Sequence, residues 1–204
     1  MDTPESTVYV VDDDQAVRDS LHWLMTSVNL PVKTFASAHE FLEACQPNQQ
    51  GCIVLDIRMP GMSGIELQKK LAARSDELLI IFITGHGDVH MAVDAMKAGA
   101  YDFFEKPIDD QLLLDAVQKA VKQSAVATLE HVHDAEIHLR QDLLTPRERE
   151  VLDLIMNGEP NKRIAARLGV GEKTIEAHRA KVMEKMQAKS LAHLFKIVIS
   201  LHQH

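Results

Sequence analysis

Four separated polar clusters carry groups that could together handle a phosphoryl group: Asp12-Asp13-Asp14, Asp56, Thr84-Gly85 and Lys106-Pro107. Clustered carboxylates, a hydroxyl and an ammonium suit Mg²⁺ plus phosphate oxygens and few other ligands. A carboxylate accepts a phosphoryl group only if the approaching negative charges are neutralised. A divalent ion held by Asp13 and Asp56, with Asp12 assisting through water, would do this. Lys106 is a compact charge for one phosphoryl oxygen, Thr84 offers a hydroxyl to another, and Gly85 leaves room for entry. Singly, each cluster has a plainer reading: a helix cap, a surface charge run, a strand residue, the end of a strand. What favours the pocket is order, because each cluster closes a separate apolar run.

Those runs must place the clusters. Thr7–Val11, Val32–Phe35, Cys52–Asp56, Leu79–Thr84 and Tyr101–Glu105 read as strands. Between and after them, Ala16–Val28, a segment capped by Ser37 with Glu40 completing a capping box, Ile65–Arg74, Val89–Ala98 and Asp109–Gln123 read as helices. Strands alternating with helices predict a parallel sheet covered on both faces, in a flavodoxin-like α/β domain. The C-terminal ends of its strands share one edge, where such sheets place their chemistry. The apolar residues thin out over 124–142, which reads as a helical linker or a continuation of the preceding helix. His131, His133 and His138 fall there with no Cys and no clustered carboxylate set of a metal site, so a solvated linker is the reading.

The remaining chain is helical throughout. Thr145 caps a helix beginning at Pro146, with Glu148 completing the capping box. Asn161–Leu168 and Glu172–Met186, joined by Gly169-Val170-Gly171, read as a helix-turn-helix pair, and Ser190–His202 as a last helix. Lys173, Thr174, Arg179 and Lys181 could meet phosphates or guanine edges. Glu176 could accept from a cytosine amino group, and His178 could pack or touch phosphate. A generic helical bundle with a solvated basic face is the plainer alternative.

Charge divides at the same place. Residues 1–139 carry 10 basic and 22 acidic side chains, and residues 140–204 carry 12 and 8. An acidic part followed by a basic part implies different partners for each. Two cysteines, Cys45 and Cys52, read as reduced thiols of a cytosolic protein. No apolar stretch approaches the ~20 residues that span a bilayer, and the acidic N-terminus lacks signal-peptide character, so no membrane partner is expected.

Asp12-Asp13, Asp56 followed by Met59-Pro60-Gly61, Thr84-Gly85 and Lys106-Pro107 resemble the motif positions of two-component receiver domains over residues 7–122. Leu144-Thr-Pro-Arg-Glu-Arg-Glu-Val-Leu, Asn161-Lys-Arg-Ile-Ala and Lys173-Thr-Ile-Glu-Ala-His-Arg resemble the LuxR-type four-helix DNA-binding domain. Together they resemble the NarL/FixJ class of response regulators, with details leaning toward its FixJ–StyR branch. The resemblance implies a receiver (1–123), a helical linker (124–142) and a small all-α DNA-binding domain (143–204). It implies that Asp56 takes phosphate from a sensor histidine kinase, with Mg²⁺ (or Mn²⁺) on Asp12, Asp13, Asp56 and the Arg58 carbonyl. Thr84 and Lys106 would sense the acyl phosphate, and Phe103 would be the aromatic that turns inward. Arg58 and His86 would tune phosphoryl lifetime. A homodimer on double-stranded promoter DNA, reaching RNA polymerase in the cytoplasm, completes the expectation. A phosphatase-like enzyme with Asp56 as nucleophile needs a carboxylate two positions on, where this chain has Arg58. A phosphorylation-independent interaction module is the third class.

Overall fold

The computed structural model describes residues 6–45, 49–74, 78–85 and 89–200. The chain divides into two compact units, residues 1–128 and 129–204.

The first unit runs β1 (Thr7–Val11), α1 (Gln15–Ser27), β2 (Val32–Phe35), α2 (Ala38–Ala44), β3 (Gly51–Asp56), α3 (Gly64–Ala73), β4 (Leu79–Thr84), α4 (Val89–Lys97), β5 (Asp102–Glu105) and the start of α5 (Asp110–Asp142). Its five strands are all parallel, in the order β2-β1-β3-β4-β5. Successive side chains alternate between two cores, as the two-residue strand period requires. Tyr9, Ile53, Leu55 and Phe82 face α2, α3 and α4, whereas Val8, Val10, Val54 and Ile83 face α1 and α5. Each such side chain contributes about 1.5–3 kcal/mol by leaving water, and most of these strand residues are wholly enclosed.

Helix starts follow local chemistry. Ser63 opens α3 with a full capping box closed by Glu66. Ser37 opens α2 by accepting from the Glu40 N–H at 3.1 Å. The expected box there is only half made, because the Glu40 carboxylate takes the Ala36 N–H at 2.6 Å instead of the cap's own. Ala36 lies just past the last β2 ladder residue, where its N–H needs a partner.

Helix α5 continues without a break from Asp110 to Asp142. In the first unit, Leu113, Val117 and Ala120 lie on the sheet, and the buried Ser124 hydroxyl accepts from the Gly51 N–H at 2.8 Å. In the second unit, Ile137 of the same helix belongs to the core. That core is completed by α6 (Pro146–Met156), α7 (Asn161–Leu168), α8 (Glu172–Lys185) and α9 (Leu191–Ser200). Among the described residues no helix is long and apolar enough to cross a membrane.

Candidate functional site

Asp12 follows β1 and Asp56 ends β3, the two strands that flank the reversal of strand order. The register pairing Val11 with Leu55 sets the carboxylates side by side at the strands' C-terminal edge. Lys106, just beyond β5, reaches both. Its Nζ donates to Asp12 Oδ2 at 2.6 Å and to Asp56 Oδ1 at 3.0 Å. The other Asp56 oxygen accepts the Arg58 N–H at 2.8 Å. Asp12 and Asp56 are 1% and 5% exposed, so this is a desolvated cluster of two anions and one cation. Burial pushes the Asp56 carboxyl above its usual range, against the lowering effect of Lys106. Burial opposes the Lys106 ammonium, but its bonds to both aspartates outweigh this and hold its pKa above the usual value.

Around this centre stand the other predicted groups. Thr84 ends β4, wholly buried, and its carbonyl accepts the Lys106 N–H at 2.8 Å. Asp13 is exposed and lines an open groove of about 600 Å³ with Arg58, Met59, Pro60, Ile65 and Met91. Phe103 is half-buried against the α2–α4 core, alongside Met91. His86 lies outside the described residues, as do the side chains of His131 and His133. Among the described residues, no three His, Cys, Asp or Glu side chains close on one another as a ready ion cage.

Two features that hold the centre were not foreseen. Arg18, on α1 and 9% exposed, donates to the Asp12 carbonyl at 2.6 Å and also bonds Gln15 Oε1. Gly64 lies so near that a Cβ added there would stand 2.3 Å from the Asp56 carbonyl oxygen.

In the second unit, α7 closes on Gly169 in the left-handed conformation (φ 67°), which a residue without a Cβ adopts at no steric cost. Gly171 then starts α8. Ile164, Ala165, Ile175 and Val182 form the buried seam between the two helices. Lys173, Thr174, Glu176 and Lys181 are exposed on α8, and Lys181 pairs with Glu184 at 2.8 Å. His178 and Arg179 are half-buried. At 100° per residue, the face opposite Ile175 and Val182 carries Lys173, Ala177, Ala180 and Glu184. The two alanines carry no hydrogen-bonding side chain and so gave no signal in the sequence. Small apolar side chains of this kind meet thymine methyl groups in DNA readers.

Comparison with known proteins settles the family. Residues 8–118 match the response regulator receiver domain, and residues 142–198 match the bacterial regulatory proteins of the luxR family. The chain is 47% identical over 197 residues to the transcriptional regulatory protein FixJ of Azorhizobium caulinodans, covering 96% of this chain and 93% of that one. It is 41% identical to the response regulator protein TmoT of Ectopseudomonas mendocina, over 97% and 90% of the two chains. Its fold matches the response regulator StyR with a TM-score of 0.88 at 46% identity, covering 96% of this chain and 98% of that one. The full-length FixJ of B. japonicum matches with a TM-score of 0.59 at 42% identity, covering 98% of each chain.

The chain belongs to the FixJ-type two-component response regulators. It is a phosphorylation-dependent transcriptional regulator, built of a flavodoxin-like receiver and a LuxR-type helix-turn-helix domain. In this response regulator the four polar clusters converge at one sheet edge, and the predicted reading helix is α8.

Proposed function

We propose that Asp56 is the phosphoacceptor, that a sensor histidine kinase is the donor, and that the phosphorylated chain binds double-stranded promoter DNA as a homodimer. The observation that carries this reading is the Lys106 ammonium shared between Asp12 and Asp56 at the sheet edge. The donor's P–N bond breaks, a P–O bond forms to an Asp56 carboxylate oxygen, and the electron pair leaves with the histidine nitrogen. Lys106 is placed to follow the charge onto the phosphoryl oxygens. The Thr84 hydroxyl, drawn to the same group, leaves space that Phe103 takes up. The altered surface around α4, β5 and α5 then pairs two copies, and α9 supplies a second pairing face. On DNA, Lys173, Thr174, Glu176 and Lys181 of α8 make the contacts, with His178 and Arg179 reaching the backbone from its flank. RNA polymerase and a cytoplasmic setting complete the reading.

The donor set fits Mg²⁺ or Mn²⁺. Two buried aspartates share a single ammonium, which leaves negative charge uncompensated, and Mg²⁺ needs only one or two carboxylates because it retains waters. Asp12, Asp13, Asp56 and the Arg58 carbonyl would hold the ion. When bound, it supplies neutralisation of the phosphoryl oxygens. No turnover of small phosphoesters is proposed, because Arg58 stands where a hydrolase of that kind needs its second carboxylate.

The test is DNA affinity and mass in solution, with and without beryllofluoride and Mg²⁺, on the parent chain and on Asp56→Asn. Tighter, dimeric binding that vanishes in the variant supports the reading. A response that survives Asp56→Asn, or no response at all, removes Asp56 from the switch.

A further inference from the structure

Lys185 is the last residue of α8. Its Nζ donates to Glu148 Oε2 at 2.6 Å and to the Leu143 carbonyl at 3.0 Å. Glu148 is 6% exposed, and the same oxygen accepts the Thr145 N–H at 2.8 Å in the box that caps α6. Leu143 is the first residue beyond α5, and Arg149 pairs with the last α5 residue, Asp142, at 3.2 Å. Next to Glu148, Arg147 donates to the Leu168 carbonyl at 2.6 Å, at the C-terminus of α7. Two adjacent side chains at the start of α6 therefore grip the C-terminal ends of both helices of the helix-turn-helix. Only the grip through Lys185 also holds the end of α5.

We propose that Lys185 is a positioning residue for base readout, fixing α8 against the end of α5 through Glu148 and the Leu143 carbonyl without itself touching DNA. This rests on the reading of the second unit as the DNA reader. Bases are met near the N-terminus of a recognition helix, and Lys185 is twelve residues from Lys173, about 18 Å along the axis at 1.5 Å per residue. A compact ammonium with three donors suits one carboxylate and one carbonyl at once. Without it, Glu148 loses its ion-pair partner among those described, and α8 loses its only direct bond to the end of α5 among those described. Phosphate contacts tolerate small tilts of a helix, whereas base edges demand register. Loss of Lys185 therefore erodes discrimination before it erodes general affinity.

The experiment uses the full-length chain with beryllofluoride and Mg²⁺. One probe is a duplex recovered by selection from a random pool, and the other is a scrambled duplex of the same composition. Anisotropy titrations over a range of salt compare the parent, Lys185→Met (which keeps the apolar stem), Lys185→Arg and Glu148→Gln. All are measured below the temperature at which circular dichroism shows unfolding. The expected result is a loss of roughly tenfold in the ratio of selected to scrambled affinity, the scale of one mismatched base pair, for Lys185→Met and Glu148→Gln. The salt slope stays that of the parent, and Lys185→Arg recovers part of the ratio. Equal weakening on both duplexes with the slope reduced by about one means that Lys185 contacts a phosphate, and overturns the proposal. An unchanged ratio in Glu148→Gln overturns it too, even if Lys185→Met does not fold. If the parent itself enriches no duplex, the DNA-reader reading fails first and takes this one with it.

Discussion

Gly64 governs the position of Asp56 although it carries no chemistry. Its N–H donates to the Ile57 carbonyl at 2.9 Å, bringing the start of α3 against the end of β3. An added Cβ would meet the Asp56 carbonyl oxygen at 2.3 Å and the Ile57 Cα at 3.1 Å, backbone atoms that cannot swing aside. Gly64→Ala is therefore expected to cost about 1–3 kcal/mol, the usual penalty of overpacking, measured by urea unfolding of the full chain. The displacement falls on the backbone of residue 56, so beryllofluoride uptake should weaken as well. Unaltered uptake at reduced stability would show that Asp56 keeps its place while the strain is taken up elsewhere. Arg18 belongs to the same scale. It holds the Asp12 backbone carbonyl while Lys106 holds the Asp12 carboxylate. Asp12, Asp56, Thr84 and Lys106 were legible in the sequence because each ends an apolar run. Gly64 and Arg18 were not, because a close approach and a bond to a carbonyl leave no mark in residue type.

Most elements were legible for the same reason. A period of two or of 3.6 with a start signal marks a strand or a helix, and β2, β4 and α7 have the bounds expected of them. Helix α3 starts one residue before the expected Ile65, because Ser63 both ends the turn that opens at Met59-Pro60-Gly61 and caps the helix in a box with Glu66. At the start of α6, Lys185 and the Thr145 N–H hold the Glu148 carboxyl down to about 2. In the unfolded chain this group titrates near its ordinary 4.5. A depressed carboxylate contributes stability that is fully present above the unfolded value and disappears as pH falls toward the folded one. The second unit should therefore lose stability between about pH 4.5 and 2, read as faster amide exchange across α7 and α8. Glu148→Gln should remove this component of the pH dependence and lower stability at neutral pH. Parallel pH profiles for parent and variant would mean that the contact holds no charge-dependent energy.

At the scale of the whole chain the decisive quantity is a coupling between two reactions, phosphorylation of an aspartate and binding of a polyanion. The acidic character of residues 1–139 and the basic character of residues 140–204 suit the two ligands to different parts of the chain. Attraction to DNA is expected from the basic part, residues 140–204, and it should fall steeply with salt as counterions return to the duplex. If the phosphorylated form binds DNA more tightly by some factor, thermodynamic linkage requires DNA to tighten binding of the phosphoryl mimic by the same factor. A coupling of about 1–3 kcal/mol would appear as roughly 5- to 150-fold in both directions. Titrating beryllofluoride and Mg²⁺ into the chain with and without saturating duplex, and the duplex with and without the mimic, gives the two factors separately. Equal factors at matched salt establish one equilibrium between an off state and an on state that both ligands bias. Tightening of DNA with no return effect on the mimic cannot arise from that equilibrium. It would mean that the two titrations report different species, most simply a dimer formed only at the higher protein concentration. Repeating both at one protein concentration decides between them.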